Sequence, residues 1–244
     1  MNNWFEEIGA GCELPERALR ELIDSGFVVI PGPVAGERLP QFARAYDLAV
    51  AGADPADVSH GSTTTRVHGL VNRGPEFDEL YLYRPVLEAC RRVIGQPFRL
   101  GSLLARTVRP HSRAQTLHAD FGADAAGWPM LGFIFMVDDF RRDNGATRFV
   151  PGSHRWPTVP SEVMEDAASD RERQVVACGA AGSVILYNGS VWHGHTANQS
   201  AGPRRSVQGA FVRRDVESWT SQAARILPQT RARIGPRAEY LLAV

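Results

Sequence analysis

The sequence predicts a mainly β fold (a sandwich, jelly roll or barrel) behind a helical N-terminal third. Three observations predict it. From about residue 97 the chain breaks into many short strand-like runs with turn residues between them. No helix-period stretch alternates with those runs, which argues against a parallel α/β sheet. Before them, residues 14–95 carry helical spacing punctuated by Gly and Pro.

The elements follow in order. Residues 14–26 read as a helix: Pro15 falls near the first turn, Leu19, Leu22 and Ile23 form a stripe, and Gly26 closes it. Phe27-Val28-Val29-Ile30 is a short buried strand stopped by Pro31-Gly32-Pro33. Residues 36–51 form a second helix, with Leu39, Phe42, Ala43 and Tyr46 on one face. The polar stretch 52–76 reads as loop, and 77–95 returns to helical spacing up to Gly95. Strands are predicted at 98–109, 115–120, 130–138, 146–150, 174–178, 183–187, 190–195 and 205–213. Asn144-Gly145, between two of these runs, is a hairpin signal. Residues 217–227 are predicted to form a closing helix.

Composition narrows the function classes. At 244 residues the chain is most simply one domain with a sizeable core. The formal net charge is zero, which argues against nucleic acid or an anionic membrane as the main partner. All 27 basic residues are arginine. Without lysine, Schiff-base, pyridoxal-phosphate and P-loop chemistry are excluded. Cys12, Cys90 and Cys178 match neither a zinc nor a disulfide framework, and a reducing cytoplasm fits best. The Met1-Asn2-Asn3-Trp4 start lacks the regions of a signal peptide, and no apolar run approaches the roughly 20 residues a bilayer span needs.

Two motifs carry chemistry. His118 and Asp120 stand two apart in a strand-like run, so both side chains share one face while Ala119 points away. Alone, the pair reads equally as a hydrogen-bonded His–Asp couple at a strand end. Downstream, a strand delivers His193, a Gly/Asn/Ser loop follows, and the next strand carries Arg204 and Ser206, again on one face. Two imidazoles and a carboxylate are the ligand set of a non-haem Fe(II) centre with open positions. A planar guanidinium beyond the second histidine suits the far carboxylate of a dicarboxylic acid that chelates the metal, and serine adds a donor.

The chain resembles the phytanoyl-CoA dioxygenase (PhyH-like) family of Fe(II)/2-oxoglutarate-dependent oxygenases over nearly its whole length. The resemblance is carried by Gly26–Gly32, His118-Ala119-Asp120, Asp143-Asn144-Gly145-Ala146-Thr147, Val150-Pro151-Gly152-Ser153-His154, the interval from His193 through Asn198 to Arg204, and Tyr240-Leu241-Leu242. It implies a single domain with a double-stranded β-helix (jelly roll, cupin-like) core. Residues 1–96 would be largely helical support, 97–215 the core and 216–244 a closing segment. It further implies His118, Asp120 and His193 as iron ligands, Arg204 and Ser206 on 2-oxoglutarate, and O2 as second co-substrate. Thr107 aligns with a polar position that often touches the co-substrate. His195 stands where relatives often have serine, and is expected on 2-oxoglutarate or just behind it. Ile134 lies where some relatives carry tryptophan near the metal. Asp120 argues against halogenation, because related halogenases have a small residue there. Asn198 is expected to orient the ligating imidazoles.

Arg66 and His68 are expected at the pocket mouth, and Phe121 and Trp128 in substrate contact or core packing. His154, Asp138-Asp139 and the arginine pairs 91–92, 141–142 and 213–214 read as structural or solvated. The expected activity is hydroxylation of an unactivated C–H bond of a small organic molecule, a secondary-metabolite intermediate. The alternatives are oxidative cyclisation, desaturation or epimerisation at the same iron site, or a non-catalytic cupin-like sensor of metal or 2-oxoglutarate.

Overall fold

Strands buried on both faces, such as Met130–Met136, build a two-sheet sandwich covered by helices, seen here in a computed structural model that describes residues 4–8, 11, 13–218 and 220–244. The Met1–Asn3 start, Cys12 and Trp219 of the expected closing helix lie outside the described residues. The strands are β1 (Phe27–Pro31), β2 (Val58–His60), β3 (Thr64–Val67), β4 (Phe98–Val108), β5 (Met130–Met136), β6 (Thr147–Phe149), β7 (Val175–Ala177), β8 (Ser183–Asn188), β9 (His193–His195) and β10 (Arg204–Arg213). The larger sheet has the order β1-β8-β5-β10-β4-β3-β2 and the smaller β7-β6-β9, with antiparallel pairing throughout. This is the jelly-roll core with N-terminal helices that the sequence predicts.

The helices are α1 (Trp4–Ile8), α2 (Glu16–Ser25), α3 (Leu39–Ala51), α4 (Asp78–Tyr81), α5 (Arg84–Ile94), α6 (Pro160–Val163), α7 (Gln222–Arg225), α8 (Pro228–Arg233) and α9 (Pro236–Leu242). Helix α2 ends because Gly26 takes φ +85°, and its N–H caps Leu22 O. A side chain there would also meet the His154 ring at 2.6 Å. Helix α5 turns Val86, Leu87, Ala89, Cys90, Val93 and Ile94 inward, where they join Leu131, Phe133 and Phe135 in one buried cluster. The other face of the larger sheet packs on the smaller one through a second cluster, in which Phe27 stacks on Phe149 at 4.3 Å.

Several local expectations are corrected. The stretch 52–76 contains β2 and β3, which extend the larger sheet beside β4. Helical spacing at 77–95 resolves into α4 and α5, because Pro85 can only begin a helix. Residues 115–120 are extended but not a regular strand. Gln115 N bonds His195 O and His118 N bonds His193 O, so three steps on one side meet two on the other and the ladder breaks. Asn144-Gly145 turns the chain from one sheet to the other and joins no hairpin, since β5 and β6 do not pair with each other. The run 190–195 shortens to β9, and 217–227 contributes only α7, followed by α8 and α9. No described helix is long and apolar enough to cross a membrane.

Candidate metal centre and co-substrate crevice

His118 and His193 form an isolated antiparallel bridge, His118 N to His193 O at 3.0 Å and His193 N to His118 O at 2.9 Å. Directly opposed residues share a face, so the two rings lie 4.4 Å apart. Asp120 approaches both, with Oδ1 3.7 Å from His118 Nε2 and Oδ2 3.7 Å from His193 Nε2. One potential ligand atom from each of the three falls within 4.8 Å of the others.

The surroundings aim these atoms. His118 Nδ1 donates to Thr116 O (3.0 Å) and His193 Nδ1 to Val191 O (2.9 Å), which leaves both Nε2 lone pairs facing the gap. Tyr187 OH donates to Asp120 Oδ2 at 2.9 Å. Burial, then the neighbouring His193, pulls the His118 pKa down to about 4, so its ring is neutral near pH 7 and available as a ligand. Gly194 lets the ligand loop close on β9: a Cβ there would meet the carbonyl oxygens of Gln115 and Thr116 at 3.0 and 3.1 Å.

Arg204 is 1% exposed. Its guanidinium donates to Ser206 Oγ (3.0 Å) and Gly145 O, lies 4.1 Å from the Phe140 ring centroid, and has no partner for Nε. Burial, then the Arg106 charge, draws its pKa down to about 9. A buried cation held only by neutral groups is unfavourable until an anion joins it. A narrow crevice lined by Arg204, His195, Thr147, Ile134, Gln115 and Arg106 reaches His193. Beside it, a cavity of about 320 Å³ is lined by Arg66, His68, Arg106, His118, Asp120, Tyr187 and Gln208, with Leu104 and Met130 as apolar wall.

The other sequence candidates fall as follows. Thr107 faces the helical layer, where its hydroxyl meets Tyr46 OH at 2.9 Å. It pairs with Arg205 on β10, whereas Arg106 pairs with Ser206 and shares the crevice side. The one-residue alternation therefore puts Arg106 at the crevice in place of Thr107. His195 engages Thr63 Oγ1 (2.8 Å) and Thr196 O (2.7 Å) through its two ring nitrogens. Asn198 does not touch the imidazoles. It folds the 198–202 loop on itself through Ser200 and Gly202, and so sets the interval to Arg204. Arg66 and His68 line the cavity; Phe121 and Trp128 do not. Phe121 packs on the inter-sheet cluster, and Trp128 lies 5.2 Å from the His154 ring. Asp138 bonds Arg205, and Arg213, only 4% exposed on its side chain, pairs with Asp124 and Asp215, so neither is merely solvated. Sequence reasoning missed Arg106, Gln115, Gln208 and Tyr187.

The sequence profile of the phytanoyl-CoA dioxygenase (PhyH) family matches residues 23–206. Among curated proteins, dioxygenase FUM3 of Gibberella moniliformis is 29% identical over 202 residues, covering 72% of this chain and 65% of that one. The chain thus spans just under two thirds of FUM3. Multifunctional dioxygenase ausE of Emericella nidulans is 27% identical over 239 residues, 89% of this chain and 80% of that one. Among solved structures, HygX from Streptomyces hygroscopicus, with nickel, 2-oxoglutarate and hygromycin B bound, superposes with TM-score 0.70 at 20% identity, covering 85% of this chain and 90% of HygX. The epimerase SnoN, in complex with Fe3+, alpha-ketoglutarate and a nogalamycin compound, gives TM-score 0.67 at 19% identity, with 81% and 83% covered. At such identity these two likenesses speak to the fold alone.

Proposed function

The chain belongs to the phytanoyl-CoA dioxygenase family of Fe(II)/2-oxoglutarate-dependent oxygenases, and from that premise we propose that it hydroxylates an unactivated C–H bond of a small secondary-metabolite intermediate. His118, Asp120 and His193 hold Fe(II), and Arg204 with Ser206 holds the far carboxylate of 2-oxoglutarate. The observation that carries this reading is that Arg204, buried and without a carboxylate partner among the described residues, shares one crevice with His193. The donor set also fits: two imidazoles and a carboxylate are the ligand set of a ferrous centre that keeps positions free for co-substrates.

When bound, Fe(II) would activate O2, the oxidant, which would take two electrons from 2-oxoglutarate as it becomes succinate and CO2 and two from the substrate C–H bond as it becomes an alcohol. The chain's own residues position and exclude. Tyr187 fixes the Asp120 carboxylate through Oδ2. The backbone carbonyls of Thr116 and Val191 hold the two rings in the tautomer that presents Nε2. Phe140 shields the Arg204 guanidinium from water, which strengthens its hold on an anion. The substrate occupies the 320 Å³ cavity at the open side of the trio, with Arg66 and His68 at its edge. Oxidative cyclisation or epimerisation would use the same residues. We place the reaction in the cytoplasm, where ferrous iron and free thiols such as Cys90 persist.

The test is succinate formation from 2-oxoglutarate, with Fe(II) and O2, in wild type and in Arg204→Gln. Loss of 2-oxoglutarate affinity with metal binding retained supports the assignment. Turnover that continues without O2 overturns it.

A further inference from the structure

His118 stands in a segment that is paired on one edge only. Residues 115–120 bond β9 through Gln115 N to His195 O and through the His118–His193 bridge. Along the other edge lies 166–174, which has no regular secondary structure. Leu117 N donates across to Ala167 O at 2.7 Å.

Arg148 ties these two irregular segments together. It is the middle residue of β6, directly opposite Gly194 on β9. Thr147 lines the crevice and Phe149 belongs to the inter-sheet cluster, so alternation turns Arg148 to the outer face of the smaller sheet. The residue is nevertheless only 1% exposed, and its guanidinium is held by 166–174. Nη1 donates to Ser169 O (3.1 Å) and Asp170 Oδ1 (2.8 Å). Nη2 donates to Ala168 O (2.8 Å) and to Gln115 O (3.1 Å). The planar fork thus serves both segments at once.

The link to the metal gap is short. Thr116 O accepts from His118 Nδ1, which is what points Nε2 into the gap. Thr116 lies between Gln115, whose carbonyl Arg148 holds, and Leu117, whose N–H is held by Ala167 beside the Ala168 carbonyl on Arg148. Both anchors of Thr116 therefore depend on one guanidinium. Leu117 also packs on Val150 and Trp192, so the segment has a firm floor but gets its edge from Arg148.

Resting on the assignment of His118 as a metal ligand, we infer that Arg148 is a positioning residue for the metal centre. From the outer face of the smaller sheet it sets the Thr116 carbonyl, and through it the direction of His118 Nε2, while touching neither metal nor substrate.

The test titrates the full-length apo-protein with Co(II) under argon, read by calorimetry and by the d–d absorption of the bound ion. Arg148→Met keeps much of the side-chain length and removes the donors. Its Co(II) affinity should fall about tenfold or more, the scale of losing a group that orients a ligand, and the d–d bands should shift or broaden. Arg148→Lys should recover part of both, since an ammonium still donates but not as a planar fork. Glu172→Gln, exposed on the same segment, should change neither. A role confined to stability would lower the urea midpoint of Arg148→Met and leave the affinity and bands of the folded protein as they are; that result overturns the inference. The wild type gives a reading that needs no variant. Coupling is reciprocal, so Co(II) should slow hydrogen exchange across 166–174 by about the same tenfold, beyond any slowing in α9. Exchange there that ignores Co(II) overturns the inference as well. Wild type that binds no Co(II), or His118→Ala that binds it as tightly as wild type, would instead strike the ligand assignment, and the inference with it.

Discussion

His118 and His193 exchange both backbone N–H···O hydrogen bonds, so the two rings that face Asp120 are registered by main chain before any ion arrives. The close approach behind this pairing depends on Gly194, whose missing side chain admits the Gln115 and Thr116 carbonyls. Gly194→Ala should push the 115–118 segment outward and weaken metal binding by about tenfold or more, as loss of ligand support does elsewhere. His118→Ala should abolish tight binding. Titration of the apo-protein with Fe(II) under argon checks both, and an unchanged affinity in Gly194→Ala would show that the approach is not needed.

Tyr187 is buried, and its hydroxyl holds Asp120. Tyr187→Phe keeps the packing and removes one hydrogen bond. Metal affinity should fall about 10-fold to 100-fold, while denaturation shifts by only about 1 kcal/mol. Equal affinity in the two proteins would mean that Asp120 needs no such partner.

Arg204 makes its two hydrogen bonds to neutral oxygens. Arg204→Gln should raise the 2-oxoglutarate concentration needed for half-saturation by about 100-fold or more, the worth of a bidentate charged contact. Ser206→Ala should cost about tenfold or less. Metal affinity should stay level in both, and competition by N-oxalylglycine would read the change without turnover.

Acid should destabilise the fold. Burial pulls the His195 pKa to about 3, and burial lowers His154 as well. Unfolded histidine titrates near 6.5, so below that pH the unfolded chain takes up protons that the folded one refuses. Stability is therefore full above about pH 6.5 and falls toward the folded pKa values; near pH 4.5 His195 alone removes on the order of 2–3 kcal/mol. Urea denaturation at about pH 7.5 and 4.5 measures the slope. His195→Gln should flatten part of it, and an identical slope would mean that His195 is protonated in the fold.

The β texture after residue 97 was readable because alternation and turn residues are local signals, and the spacing of His118, Asp120 and His193 survived even though 115–120 is no true strand. Strands 58–60 and 64–67 escaped because such short polar strands owe their existence to their neighbours, β3 to β4 and β2 at the edge to β3, not to their own pattern. Thr107 was expected near the co-substrate from the resemblance alone; it is the pairing of its neighbour Arg106 with Ser206 that turns Thr107 toward the helical layer, and a lone strand does not announce which face meets the cavity. Tyr187 reaches Asp120 from 67 residues away, a relation no local motif records.

His193 hangs from the three-stranded sheet and Arg204 from the seven-stranded one. If the proposed co-substrate spans the two, the gap between the sheets would act as a length gauge for keto diacids, its width set by side chains buried between them such as Ile134, which lines the crevice, and Phe149, whose ring lies 5.7 Å from that of His193.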